Sequence, residues 1–281
     1  MTGFVLVDKP RGPTSHGIVA KVRRALGIKR VGHAGTLDPL ATGLLVIAVG
    51  PATRLLRYVQ GRDKTYDVTA KLGVRTTTLD AEGEEVSRCE VDVTPEAVRE
   101  AAAAFVGEIS QVPPRVSAIK VGGERAYKRA LRGEEVEMEP RTVTIRSFDV
   151  LRTSADAFDA RVVCSTGTYI RSLVADVGEK LGCGAHVAHL RRTAIGELSV
   201  RDATKIDTLD ATDVRPVEEI LSHLPRLDVS EQDATLARNG RPIEGDVPDG
   251  ETLVVGPSGA IGVFDARDGI LRPSTVLGTA S

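Results

Sequence analysis

From Thr65 to Leu72 the chain alternates without a break, with Tyr66, Val68, Ala70 and Leu72 on one side and Thr65, Asp67, Thr69 and Lys71 on the other. A period of two belongs to a strand with one buried face. Its surroundings then limit the fold, because helical and strand patterns both flank it. Upstream, Phe4 to Asp8 reads as a short strand. Ser15 follows as the N-cap of a helix with Ile18, Val22, Ala25 and Leu26 on one face, ended by Gly27. Leu44 to Val49 reads as an apolar strand and Ala52 to Val59 as a short helix. Downstream, Thr94, Pro95 and Glu96 open a helix through Phe105 that Gly107 stops. Strands are expected at Thr142 to Val150 and Phe158 to Cys164. After Gly167 comes a helix whose apolar positions are Ile170, Leu173, Val174, Val177 and Leu181. Strands interleaved with helices make this an α+β or α/β chain.

After Pro225 the texture changes to short strand candidates, Leu253 to Val255 and Ile261 to Phe264, between Gly and Pro turns, so a domain boundary is expected near residue 225. The longest apolar run is about that of Leu44 to Val49, far below the roughly 20 residues of a membrane helix, and the start MTGFVLVDKP lacks a signal-peptide layout. Cys89, Cys164 and Cys183 form an odd set without a C-x-x-C pair, which points to buried free thiols in a reducing, cytoplasmic setting. The formal net charge of −2 averages unlike parts: residues 1–80 carry +8, residues 81–224 carry −6 and residues 225–281 carry −4. The basic N-terminal third suggests a surface that meets a polyanion, the alternative being a solvated charged face.

Two segments stand out as places for chemistry. Gly32 to Gly43 is a loop in which Asp38 precedes Pro39 and is biased to an extended conformation, with Gly32, Gly35 and Gly43 supplying backbone freedom. Such a loop can hold a carboxylate in a cleft, although an Asp-Pro turn is commonly structural. In CSTGTYIRSL, Arg171 falls in the first turn of a helix, where the macrodipole disfavours a cation. An anion should offset it, and Asp38 is one such partner. Tyr66 and Tyr169 default to core roles, and an aromatic content of 3% weighs against a platform of stacked bases. Cys183, His186 and His189 lack an evident fourth ligand, so no metal is expected, and no phosphate-binding glycine motif points to a nucleotide cofactor.

The blocks GFVLVDKPRGPTS, RVGHAGTLDPLATGLLVIAVGPATR, DKTYDVTAKLGVRTTTLDAEGE, VPPRVSAIKVGGERAYKRALRGEEVE, CSTGTYIRSLVADVGEKLG and LRRTAIG, in this order, resemble the TruB family of tRNA pseudouridine synthases over about residues 4–197. The resemblance implies a cofactor-free isomerase that converts uridine 55 in the T-arm loop of tRNA to pseudouridine, flipping the base out of its stack. It implies the α+β pseudouridine synthase fold: a central mixed or antiparallel sheet flanked by helices over 1–224, and a small PUA-like β domain over 225–281.

On the same resemblance Asp38 is the catalytic aspartate, as nucleophile or as base at the ribose, held ionised by Arg171, and Tyr66 stacks on the target base and helps remove its C5 proton. His33 steadies the displaced stack, Tyr169 and Leu190 line the pocket, and Lys9 supports it. Arg125, Lys128 and Arg129, with the basic N-terminal third, would meet T-arm phosphates. A monomer is expected. A tRNA-folding chaperone with incidental catalysis is the rival, whereas a glycoside hydrolase would need a second carboxylate that the Asp38 loop does not offer.

Overall fold

A computed structural model describes residues 1–114, 120–121, 124–125 and 138–278. In chain order its main elements begin with β1 (Gly3–Lys9), α1 (Ser15–Leu26), β2 (Val31–His33), β3 (Thr42–Val49), a 3₁₀ turn (Gly50–Leu55) and α2 (Leu56–Gln60). There follow β4 (Lys64–Leu72), β5 (Val74–Thr76), β6 (Glu85–Arg88), α3 (Pro95–Ala103), β7 (Gly107–Gln111), β8 (Lys120–Val121) and β9 (Glu124–Arg125). Next come β10 (Arg141–Thr153), β11 (Ala157–Cys164), α4 (Ile170–Lys180), β12 (Ala185–Ile195), β13 (Leu198–Ser199), β14 (Thr204–Lys205) and α5 (Val217–Ile220). The chain ends in β15 (Arg226–Asp228), α6 (Glu231–Arg238), β16 (Ile243–Glu244), β17 (Gly250–Gly256), β18 (Gly259–Arg267) and β19 (Ile270–Val276). Two compact units result: Met1–Arg62 with Glu197–Ser281, and Asp63–Gly196.

In the first unit β1 pairs antiparallel with β3 and parallel with β14, while β2 flanks β3. Helix α1 lays Ile18, Val19 and Val22 against Val5, Val7, Leu45, Ile47 and Val49 of these strands. Its cap is Thr14, which accepts from the Gly17 N–H, and not Ser15, which is the first helical residue and is buried by a contact of its own. Gly27 ends the helix at φ +65, as its sequence position suggests. Ala25 is exposed, because the buried stripe runs through Val19 instead.

The C-terminal part of this unit is the expected small β module, a sheet in the order β15-β17-β18-β19-β16 with its own core of Ala234, Ala237, Val254, Ile261, Phe264 and Leu271. Polar contacts tie it to α2, where Arg57 donates to the Ser274 hydroxyl at 2.6 Å while lying over the Tyr58 ring at 4.6 Å.

The second unit is built on an antiparallel sheet in the order β12-β4-β11-β10-β7. In β4 the expected alternation holds, with Tyr66, Val68, Ala70 and Leu72 buried and the residues between them half-buried. Thr94 caps α3 by accepting from Ala97 N–H, but the helix stops at Ala103 and leaves through tight turns before Gly107. The strand before α4 ends at Cys164, where the sequence pattern places it. Cys164 and Cys183 are buried free thiols, whereas Cys89 is exposed, since it follows a β5–β6 hairpin whose outer strand is open to solvent. Lys128 and Arg129 lie outside the described residues, and Arg125 is described as backbone of β9.

Asp176 on α4 is half-buried, and burial, with the Glu179 carboxylate nearby, pushes its pKa up to about 6. The unfolded chain releases this proton near the ordinary aspartate value of about 3.9. The native state therefore holds the extra proton between those values, and the stability it confers is lost as pH rises through about 6. Asp176→Asn should raise the melting temperature at pH 8, the gain shrinking toward zero on acidification below about pH 4, as thermal melts across this range would show.

Candidate active site

In the first unit, side chains from β1 and α1 hold the Asp38 loop from two sides. Lys9, at the end of β1 and fully buried, donates through Nζ to the Ala41 carbonyl at 2.6 Å, the Pro10 carbonyl at 3.1 Å and the Pro39 carbonyl at 3.3 Å. Opposite, the Ser15 hydroxyl donates to the Leu37 carbonyl at 3.0 Å and accepts from the Leu37 N–H at 2.9 Å. Gly12 N–H reaches the Pro39 carbonyl at 2.9 Å, and Ala41 N–H closes the turn on the Asp38 carbonyl at 3.1 Å. Asp38 is thus half-buried in a loop whose neighbours on both sides are fixed by buried bonds. Gly35 and Gly43 take φ +97 and +99, open to glycine at little cost, whereas Gly32 lies in β2 without a positive φ. His33, also in β2, meets His16 edge-on at 5.3 Å.

In the second unit, Arg171 is 4% exposed and sits, as expected, in the first turn of α4. Its Nη1 lies 3.3 Å from the Asp80 carboxylate and donates to the Thr78 carbonyl at 2.9 Å. Asp80 is held in turn, its Oδ1 accepting from the Thr78 hydroxyl at 2.5 Å and the Glu82 N–H at 3.1 Å. Leu79, at φ +61, bends the chain so that Asp80 points inward, and hydrogen bonds of Leu79 and Ala81 with Val187 staple this turn to β12. The anion that a cation in a first turn calls for is thereby supplied within the unit by a residue that the sequence reading passed over.

Tyr66 is 8% exposed and faces Arg192 across the β4–β12 ladder, with Leu190 opposite Val68 on the same buried face. Lys64 shares this face of β4, and burial together with the Arg192 charge lowers its pKa to about 8. Cys164 lies opposite Lys64 in the β4–β11 ladder, and burial pushes its thiol up to about 11, which keeps it protonated and unreactive. Tyr169 is half-buried beneath the Arg141 guanidinium, 5.5 Å from its ring. His186 is buried with Nδ1 2.9 Å from the Val74 carbonyl, while His189 is exposed, so their ordinary surroundings account for both.

Of the residues expected at the site, the structure brings Lys9 to the Asp38 loop in one unit, and Tyr66 to Leu190 and Tyr169 to Arg171 in the other. Ser15, Asp80, Lys64 and Arg192 are the additions. The block TTTLDAEGE carried a signal for Asp80, an aspartate in a threonine-rich turn, but its partner lies 91 residues along the chain.

Residues 23–170 match the family model described as TruB family pseudouridylate synthase (N terminal domain), and residues 171–224 match the tRNA pseudouridylate synthase B C-terminal domain. The chain is 47% identical to a protein named tRNA pseudouridine synthase B from Leifsonia xyli subsp. xyli, over 95% of this chain and 93% of that protein. It is 46% identical to the protein of the same name from Thermobifida fusca, over 98% of each. Among solved structures it resembles a Cbf5-Nop10-Gar1 complex with a TM-score of 0.73 and 26% identity, over 94% of this chain and 78% of that one. An H/ACA RNP bound to a substrate RNA containing 2′-deoxyuridine shares the fold with a TM-score of 0.75 and 22% identity, over 99% of this chain and 85% of that one. Two adjoining family models and relatives matched along nearly the whole chain lead to one conclusion: the chain belongs to the TruB family of pseudouridylate synthases.

Proposed function

We propose that this chain converts uridine 55 of the tRNA T-arm loop to pseudouridine, acting as a cofactor-free isomerase on a flipped base. The observation that carries this reading is the identity of 42–47% with proteins named tRNA pseudouridine synthase B along nearly the whole chain. The rigidly held Asp38 loop supports it.

The N1–C1′ bond must break, the uracil must turn, and C5 must bond to C1′ and lose its proton. Asp38 acts as an ionised carboxylate, at C1′ as nucleophile or at the ribose as base, and Arg171 favours that ionised form. Lys9 and Ser15 keep the Asp38 backbone in place during the reaction. Tyr66, on its buried strand face, stacks on the uracil and assists C5 deprotonation. Leu190 and Tyr169 line the base pocket, and His33 steadies the gap the base leaves. Basic side chains of the N-terminal third, with Arg125, Lys128 and Arg129, take T-arm phosphates, so raised salt weakens binding.

Residues 1–224, the last of them also the end of the second family-model match, form the catalytic domain, and 225–281 form the small β domain. The enzyme works as a cytoplasmic monomer. Mapping pseudouridine in an unmodified tRNA transcript after incubation tests the reading: modification at position 55 supports it, and modification elsewhere or nowhere overturns it. Tyr66→Phe should keep tRNA binding and lower turnover by about 100-fold or more in single-turnover assays, since a positioned acid or base contributes that much.

A further inference from the structure

Tyr169 is the N-cap of α4 and makes no side-chain capping bond, and its carbonyl accepts the first helical bond from Leu173 N–H, yet both its backbone polar groups also bond one residue far along the chain. The Gln111 carboxamide, completely buried at the end of β7, accepts from Tyr169 N–H at 2.8 Å and donates through Nε2 to the Tyr169 carbonyl at 3.0 Å. The pairing copies one rung of a sheet ladder onto the entrance of a helix. The next residue extends it, since the Ser172 hydroxyl donates to the Val112 carbonyl at 2.8 Å. Arg141, whose guanidinium lies over the Tyr169 ring, is the cross-strand neighbour of Gln111. The last residue of β7 and the one after it therefore grip residues 169 and 172, and Arg171 stands between them in sequence.

We propose that Gln111 is a positioning residue for catalysis, setting the Tyr169 ring and the Arg171 guanidinium through the paired bonds to the Tyr169 backbone. The proposal rests on the roles given above to Arg171 and Tyr169. Glutamine suits the place because one planar carboxamide offers a donor and an acceptor side by side. A neutral glutamic acid has the same pattern, whereas an ionised one offers acceptors only and sets a charge against the Tyr169 carbonyl.

The test compares the wild-type enzyme with Gln111→Leu, Gln111→Glu and Arg171→Lys, using an unmodified tRNA transcript, and reads single-turnover rate, tRNA affinity and pH profile. Gln111→Leu should lose about 10- to 100-fold in rate, the scale of an ångström-sized misplacement, with tRNA affinity within about threefold of wild type. Gln111→Glu should regain rate relative to wild type as pH falls from about 8 to about 5.5. Burial raises its pKa against the pull of Arg141, and the protonated side chain restores both bonds. Gln111→Leu should show no such recovery.

A Gln111→Leu rate within twofold of wild type, or a Gln111→Glu profile parallel to wild type, would overturn the proposal while Arg171→Lys remains crippled. If Arg171→Lys itself runs at the wild-type rate, the reading of Arg171 fails, and the proposal fails with it.

Discussion

Asp38→Asn is expected to slow pseudouridine formation by about 10⁴-fold or more, while tRNA affinity stays within about twofold of wild type. The substitution removes the charge and the basic or nucleophilic oxygen at nearly constant volume. The bonds by which Lys9, Ser15, Gly12 and Ala41 hold the loop survive it, because they run to backbone atoms. The variant should therefore fold as the parent does. Single-turnover rates together with equilibrium tRNA binding separate the two effects: a parallel fall in both would mean that Asp38 serves binding or folding, and an unchanged rate would remove it from the chemistry.

Asp80→Ala should be the most damaging single change to the second unit. It deletes a carboxylate 3.3 Å from Arg171, in a pair whose side chains are 6% and 4% exposed, and strips the Thr78 hydroxyl and the Glu82 N–H of the oxygen they bond. Breaking one side of a buried pair costs about 3–5 kcal/mol. Denaturant unfolding should show that loss, and turnover should fall as well, because the guanidinium loses a bond that orients it. Asp80→Asn, which keeps the shape and one acceptor, should fall between the parent and Asp80→Ala. A fully stable and active Asp80→Ala would mean that Arg171 needs no carboxylate from this turn.

Local pattern carried much of the fold into view. The alternation in β4, the threonine cap and first-turn proline of α3, the glycine after α1 and the helical spacing of α4 each report a backbone state set within a few residues, and the structure keeps all four. Ser15 shows the limit of that kind of signal. Serine at a helix start suits a cap, but here Thr14 caps and Ser15 turns inward to Leu37, a contact set by tertiary packing.

The site divides in the same way. Asp38, Tyr66 and Arg171 stand in distinctive segments, so their candidacy was legible from the residues and from the family resemblance. Asp80 and Gln111 were not, because each is a single polar residue whose meaning lies in one bond to a distant segment. Such bonds leave no period in the sequence: Asp80 meets Arg171 and Gln111 meets Tyr169 through folds of the chain that no local window contains. Cys89 erred the other way, since thiols are commonly buried but this one follows an open hairpin.

The central claim is that this chain turns one tRNA uridine into pseudouridine with its own side chains. Release of tritium from an unmodified tRNA transcript labelled at uridine C5, incubated with the wild-type protein without added metal or nucleotide, measures that directly. The account predicts release that levels off near one tritium per tRNA molecule. Tight tRNA binding with no tritium released would contradict it and leave a protein that remodels tRNA without chemistry.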